Sequence, residues 1–253
     1  MFSFLNNIPQ VSKNILLLNV TIYIVAQVLA SNGGIDLFSL LSAHYVNSSL
    51  FEPYQIISHM FMHSKTDIFH IIFNMLILVM FGAHLERIWG AKRFFIFYIG
   101  CGLGAFALYN GLGVWHLHEL KNQLIAQGYD IELLNHKILA QQFESIPLNT
   151  ASSFHNLQSY ILESYSSMMG ASGALFGIMA GFAMLFPNTE LMLIFPPIPI
   201  KAKYLIGGYI ALEIYQSFQL KNDHIAHLAH VGGAIVGIII ILIWRKSDRN
   251  NFW

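Results

Sequence analysis

Gly170-Ala171-Ser172-Gly173-Ala174-Leu175-Phe176-Gly177 opens an apolar stretch that runs to Phe186 without a charged residue. Its reading decides the fold. A run of this length and composition is a membrane helix, and a hydroxyl at its mouth needs a role, because polar groups are costly in lipid. A second apolar stretch, Ile225 to Trp244, places His230 at almost the same depth from its own start. Gly173, Gly177 and Gly181 recur every four residues on the first stretch, and Gly233 and Gly237 do so on the second. Such small-xxx-small faces allow backbones to approach closely in the membrane, which would bring a serine oxygen to an imidazole. A serine hydroxyl becomes a useful nucleophile only with a base within hydrogen-bond reach. Ser172 as simple packing glue is the competing reading.

Composition agrees with a membrane protein. The 253 residues are 55% hydrophobic and 10% charged, with 13 basic and 13 acidic side chains and no Lys/Arg tract longer than two. Nucleic-acid binding is therefore not indicated. The single cysteine excludes an intrachain disulfide and a cysteine-based metal site.

Hydropathy and breakers predict an all-α polytopic bundle of six transmembrane helices, at about 14–30, 67–85, 94–115, 170–186, 202–218 and 225–244. The first reads as a retained helix, not a signal peptide. Residues 31–66 read as a loop in the headgroup layer, with Leu37, Phe38, Tyr45, Tyr54 and Phe61 as interfacial side chains. Residues 116–169 read as a partly helical extramembrane insertion into a single membrane domain. Pro196, Pro197 and Pro199 exclude a regular helix over 191–200. Six crossings leave both termini on one side. Lys13, Arg87, Lys92, Arg93, Lys201, Lys203, Arg245, Lys246 and Arg249 share it, against Lys65, Lys121, Lys137 and Lys221 opposite, so the termini are expected in the cytoplasm. The expected location is a bacterial inner membrane, with Ser172 and His230 near its outer face.

Other polar residues complete a constellation. His70 and Asn74 lie four apart on one helix face, near the same outer end. With the Ser172 backbone N–H they could stabilise the oxyanion formed when Ser172 attacks a carbonyl; as interhelical hydrogen-bond glue they would need no chemistry. His59, His63, His224, His227 and His230 invite a metal reading, but the chain lacks His-Glu-x-x-His and any neighbouring cysteine, and no catalytic metal or cofactor is expected. Glu213, the only carboxylate well inside a helix, reads either as a proton relay or as a hydrogen-bonded carboxyl that only packs.

Gly170-Ala171-Ser172-Gly173, His230-Val231-Gly232-Gly233 with Gly237, and His70 with Asn74 resemble the signature elements of the rhomboid family of intramembrane serine proteases. Glu86-Arg87 followed by Gly90 resembles that family's Glu-Arg pair; Tyr54-Gln55 departs from its Trp-Arg in the first loop. The resemblance implies a six-helix fold, Ser172 as nucleophile and His230 as general base in a dyad with no acid beside it. It further implies His70 and Asn74 as oxyanion donors, and Phe176 as the ring that packs on the catalytic imidazole. Transmembrane proteins would be the substrates. The alternatives are a non-proteolytic transporter using the His and Glu residues, and a binding-only pseudoprotease.

Overall fold

The computed structural model describes residues 3–146, 151–193, 196–219 and 224–247. The chain is predominantly α-helical, as expected, and is an integral membrane protein. Helix α1 spans Gln10–Ser31, and α2 (Ile68–Ile77) runs through a π turn, Leu78–Gly82, into α3 (Ala83–Ala126). Two shorter helices, α4 (Ile131–Leu139) and α5 (Ala151–Tyr165), precede α6 (Ser172–Leu185). The chain ends in α7 (Ala202–Gln219) and α8 (His224–Ser247). Helix α1, the run Ile68–Ala126 and His227–Ser247 are long and apolar enough to cross a membrane, whereas Ser172–Leu185 is a shorter apolar helix.

One residue divides that long central run. Gly90 has φ 78° and ψ 165°, a backbone region open essentially to glycine alone, so the chain turns there between two helical stretches. Beyond Gly90 the helix continues past residue 115, where the sequence pattern ends the span. Leu117, Leu120 and Leu124 are buried at helical spacing, so an amphipathic stretch carries the helix on. Gly128, at φ 85°, then stops it, with the Tyr129 N–H bonded back to the Leu124 carbonyl. Residues 116–126 thus supply part of the helix expected in this insertion, as a direct continuation of α3. The proline segment forms a short antiparallel pair, β1 (Glu190–Met192) with β2 (Pro199–Lys201), in the register Glu190 opposite Lys201.

Glycine contacts join α6 to α8. A methyl group added at Gly233 would run into the Gly173 carbonyl, and one at Gly237 would lie 2.8 Å from the Gly177 Cα. The two faces therefore meet backbone to backbone. Cys101 and Ala105 of α3 pack on the same crossing, opposite Gly177 and Gly173.

Contacts assign elements to the two ends of the bundle. Glu86 accepts from the N–H groups of Val11 and Ser12 and from the Ser12 hydroxyl, at 2.7–2.8 Å. It thereby supplies a negative charge and acceptors to the free first-turn donors of α1. Arg87 donates to the Asn7 carbonyl at 2.7 Å. Trp244, near the end of α8, lies edge-on to Trp89 at 5.5 Å. The N-terminal end of α1, the C-terminal end of α8 and the turn at Gly90 thus share one end, and the start of α6 lies at the other.

The first loop packs one side of its length against the rest of the protein. Tyr45 is 1% exposed and stacks on Tyr109, Met60 and Met62 are buried, and only Tyr54 among the named aromatics is open, at 44%. Gln55 holds this loop together. It is buried, donates to the Leu40 and Leu50 carbonyls and accepts from the His44 N–H. A backbone bridge between Ala43 and Met168 then ties the loop to the segment that leads into α6.

Candidate active site

Ser172 begins α6, where the first N–H groups of a helix have no carbonyl within the helix to bond. With 14 residues, α6 is only about 21 Å long, against a hydrocarbon core of about 30 Å. It is too short to span that core by itself. The glycine crossing with α8 brings the Ser172 Oγ to 2.8 Å from His230 Nε2. Phe176, one turn along, stacks on the His230 ring with centroids 4.3 Å apart and planes 8° from parallel, which fixes the orientation of the imidazole.

The other ring nitrogen has a partner that the sequence reading denied it. His230 Nδ1 lies 2.8 Å from Glu213 Oε2, so an acid does sit beside the histidine, and the two-residue expectation is corrected to three aligned groups. An ionised carboxylate only accepts, so Nδ1 carries the proton and Nε2 turns its lone pair toward Ser172. This is the tautomer that a base needs. His227 presents its own Nδ1 to the same carboxylate oxygen at 2.7 Å. Helices α7 and α8 pack together, and in the sequence Glu213 and His230 lie equally far from the midpoint between Gln219, which ends α7, and His224, which begins α8. That symmetry is the signal in the sequence that could have paired them.

His70 and Asn74 line a cavity of about 290 Å³ together with Ser172, Phe176, Tyr209 and His230. The Ser64 N–H donates to His70 Nδ1 at 3.2 Å, which leaves the proton of the neutral ring on Nε2. That nitrogen lies 2.8 Å from where a methyl on Gly170 would stand, and Gly170 has φ 121°, so glycine both permits the turn and leaves room for the ring. The Asn74 amide donates one hydrogen to the His70 carbonyl at 2.6 Å, and its second N–H remains for another acceptor.

His59 and His63 take no part in the contacts of Ser172, His230 and Glu213. His59 donates from Nδ1 to the Gln55 carbonyl at 2.8 Å, and burial pushes it down to about 4. His63 packs edge-on against His70 at 5.1 Å, and burial pushes it down to about 3. Both are neutral near pH 7. The His224 side chain lies outside the described residues.

A family model of the rhomboid domain matches residues 50–121 and 146–247, more than half of the chain. The chain belongs to the rhomboid family. Rhomboid proteins are in general intramembrane serine proteases. This rhomboid is 23% identical over 202 residues to "Rhomboid protein 1, mitochondrial" of Saccharomyces cerevisiae, covering 80% of the present chain and 44% of the yeast protein. It is 29% identical over 142 residues to "Presenilin-associated rhomboid-like protein, mitochondrial" of Rattus norvegicus, covering 52% and 37% of the two chains. An uncharacterised mitochondrial rhomboid protein of Schizosaccharomyces pombe is 34% identical over 94 residues, 33% of this chain and 23% of that one. The chain spans less than half the length of these curated relatives.

Proposed function

We propose that this rhomboid is an intramembrane serine endopeptidase that cleaves transmembrane segments of other membrane proteins. The observation that carries the proposal is the aligned set Ser172 Oγ, His230 Nε2, His230 Nδ1 and Glu213 Oε2, with separations of 2.8 Å at both contacts. His230 takes the Ser172 proton as the oxygen attacks the substrate carbonyl, and Glu213 balances the imidazolium that forms. The oxyanion is met by His70 Nε2–H, the free Asn74 N–H and the first N–H groups of α6. His230 then returns the proton to the leaving amine, and a water molecule, deprotonated by the same nitrogen, releases the acyl group from Ser172.

A substrate helix must unwind before its carbonyls can be attacked, because in lipid each backbone group is paired internally. Gly, Pro or other small residues near the cut are expected to favour this. Phe69, Phe73 and Tyr209, partly open to the outside, flank the cavity and offer an apolar approach from the bilayer. The test is cleavage of a single-span reporter by purified protein in detergent, wild type beside Ser172→Ala. Asn74→Ala should lower kcat by about 10²–10³-fold, the usual cost of one oxyanion donor, with thermal stability little changed. A wild-type rate in folded Asn74→Ala would return the residue to a packing role.

Orientation rests on the distribution of basic residues, which puts the termini and the Gly90 turn on the positively charged, inner side. The mitochondrial relatives give no support to the bacterial inner membrane, so the proposal is confined to sidedness. In a Cys101→Ala background, a cysteine at Asn135 is expected to react with an impermeant reagent in sealed, right-side-out vesicles, and one at Ser247 to react only after lysis. The reverse pattern would move the catalytic end to the inner side.

A further inference from the structure

Catalysis requires one imidazole on Glu213, yet the structure brings two. His227 and His230 approach the same oxygen with the same kind of nitrogen, at 2.7 and 2.8 Å, from one face of α8. The mechanism above gives His227 nothing to do. One donor atom from each of Glu213, His227 and His230 lies within 4.8 Å of the others. Two imidazoles and a carboxylate are a common protein ligand set for zinc, with water in the fourth position. The side chains are 5%, 14% and 18% exposed for Glu213, His227 and His230. His227 lies one turn closer than His230 to the outer end of α8, so an ion arriving from the aqueous side would meet it first.

We propose that Glu213, His227 and His230 form an inhibitory zinc site, in which the ion silences Ser172 by occupying His230 Nδ1. Binding at about 2.0–2.1 Å from each ligand needs the carboxylate oxygen to draw back from the two imidazole nitrogens by roughly half an ångström so that the ion can enter among them. The consequence follows from the ring's proton count. A neutral imidazole carries one N–H, so when zinc takes the Nδ1 lone pair the proton must move to Nε2. Nε2 then faces Ser172 as a donor and can no longer accept the hydroxyl proton. Glu213, engaged by the ion, also ceases to stabilise the active tautomer. No proton is gained or lost by a neutral ring in this exchange, and the ion is the only added reactant.

The inhibitory part of this inference rests on the proposed roles of Ser172 and His230, whereas the binding part does not. Two readouts on the full chain in detergent keep them separate: zinc binding by calorimetry, and the rate of Ser172 labelling by a fluorophosphonate with and without zinc. Each variant is referred to its own zinc-free rate. Wild type is expected to bind one zinc with its labelling slowed at least tenfold, restored by chelator and not reproduced by magnesium, which prefers oxygen ligands. His227→Ala should bind zinc at least tenfold more weakly and require correspondingly more zinc for the same slowing; His227→Asn serves if the alanine variant misfolds. Equal affinity in wild type and a folded His227 variant would overturn the site, and zinc bound at this site without slower labelling would overturn the inhibition. Absence of labelling in zinc-free wild type would instead count against the protease reading, and the binding titration would still decide the metal site.

Discussion

Ser172→Ala is expected to abolish cleavage of a transmembrane reporter and all covalent labelling by a fluorophosphonate, with the fold retained. Only Oγ is removed, and its one recorded partner is His230 Nε2, so the glycine crossing of α6 and α8 loses no packing atom. The reagent reports on chemistry rather than on accessibility. An ordinary buried hydroxyl stays protonated near pH 7 and does not attack, whereas one whose proton is accepted by an adjacent imidazole does. Ser166 and Ser167, a few residues upstream, are internal controls and should remain unmodified. His230→Ala removes the base and should abolish the labelling as well. A transporter built on the same residues predicts that Ser172→Ala is mild, and a binding-only pseudoprotease predicts no labelling of wild type. Full labelling in His230→Ala would remove the base from the mechanism.

Glu213→Gln should produce the second largest effect, a fall in kcat of about 10²–10⁴-fold with KM little changed; the acid-to-amide change in a serine-protease triad, which leaves the histidine in the wrong tautomer, costs about 10⁴. Glutamine has nearly the same size, and its carbonyl oxygen can accept from both Nδ1–H groups that now meet Glu213 Oε2. Packing and hydrogen bonding are thus preserved, and a purely structural role predicts a wild-type rate. What glutamine lacks is the negative charge that stabilises the imidazolium. If its amide turns instead toward His230, Nδ1 is forced to accept and Nε2 carries the proton, the wrong tautomer for a base. Glu213→Asp keeps the charge one methylene too short and should recover part of the loss. Equal kcat in wild type and Glu213→Gln would make the residue a packing carboxyl after all. Because transport through Glu213 would be equally damaged by this change, Ser172→Ala alone separates the two activities.

Some of this organisation was legible in the residues in order. Ser172 and His230 each stand a fixed distance into an uncharged stretch, and helical rise converts that distance into depth. The four-residue glycine spacing predicted a close crossing, and the helices α6 and α8 do meet at Gly173, Gly177, Gly233 and Gly237. His70 and Asn74 share a face by helical period, and both line the cavity that contains Ser172. These are local or periodic properties, set by covalent geometry within one helix.

What sequence order could not reveal depends on how separate segments pack. Residues 116–126 read as the start of a separate, partly helical insertion because their charges break the apolar run; with Leu117, Leu120 and Leu124 buried against neighbouring segments, they continue α3 without a break. The inner contacts of the first loop were not legible either, because aromatic residues suit both a bilayer surface and a protein core, and the burial of Tyr45, Gln55 and Met60 depends on how the loop folds back on the protein. Glu213 is the clearest case. By itself the sequence determined that a carboxylate lay within a membrane helix and that a serine and a histidine shared a depth. That the carboxylate belongs to the histidine was decided by the rotation of α7 about its axis and by its packing register against α8. Both are set by side-chain packing between helices, since in lipid each helix satisfies its own backbone bonds and leaves its rotation to its neighbours.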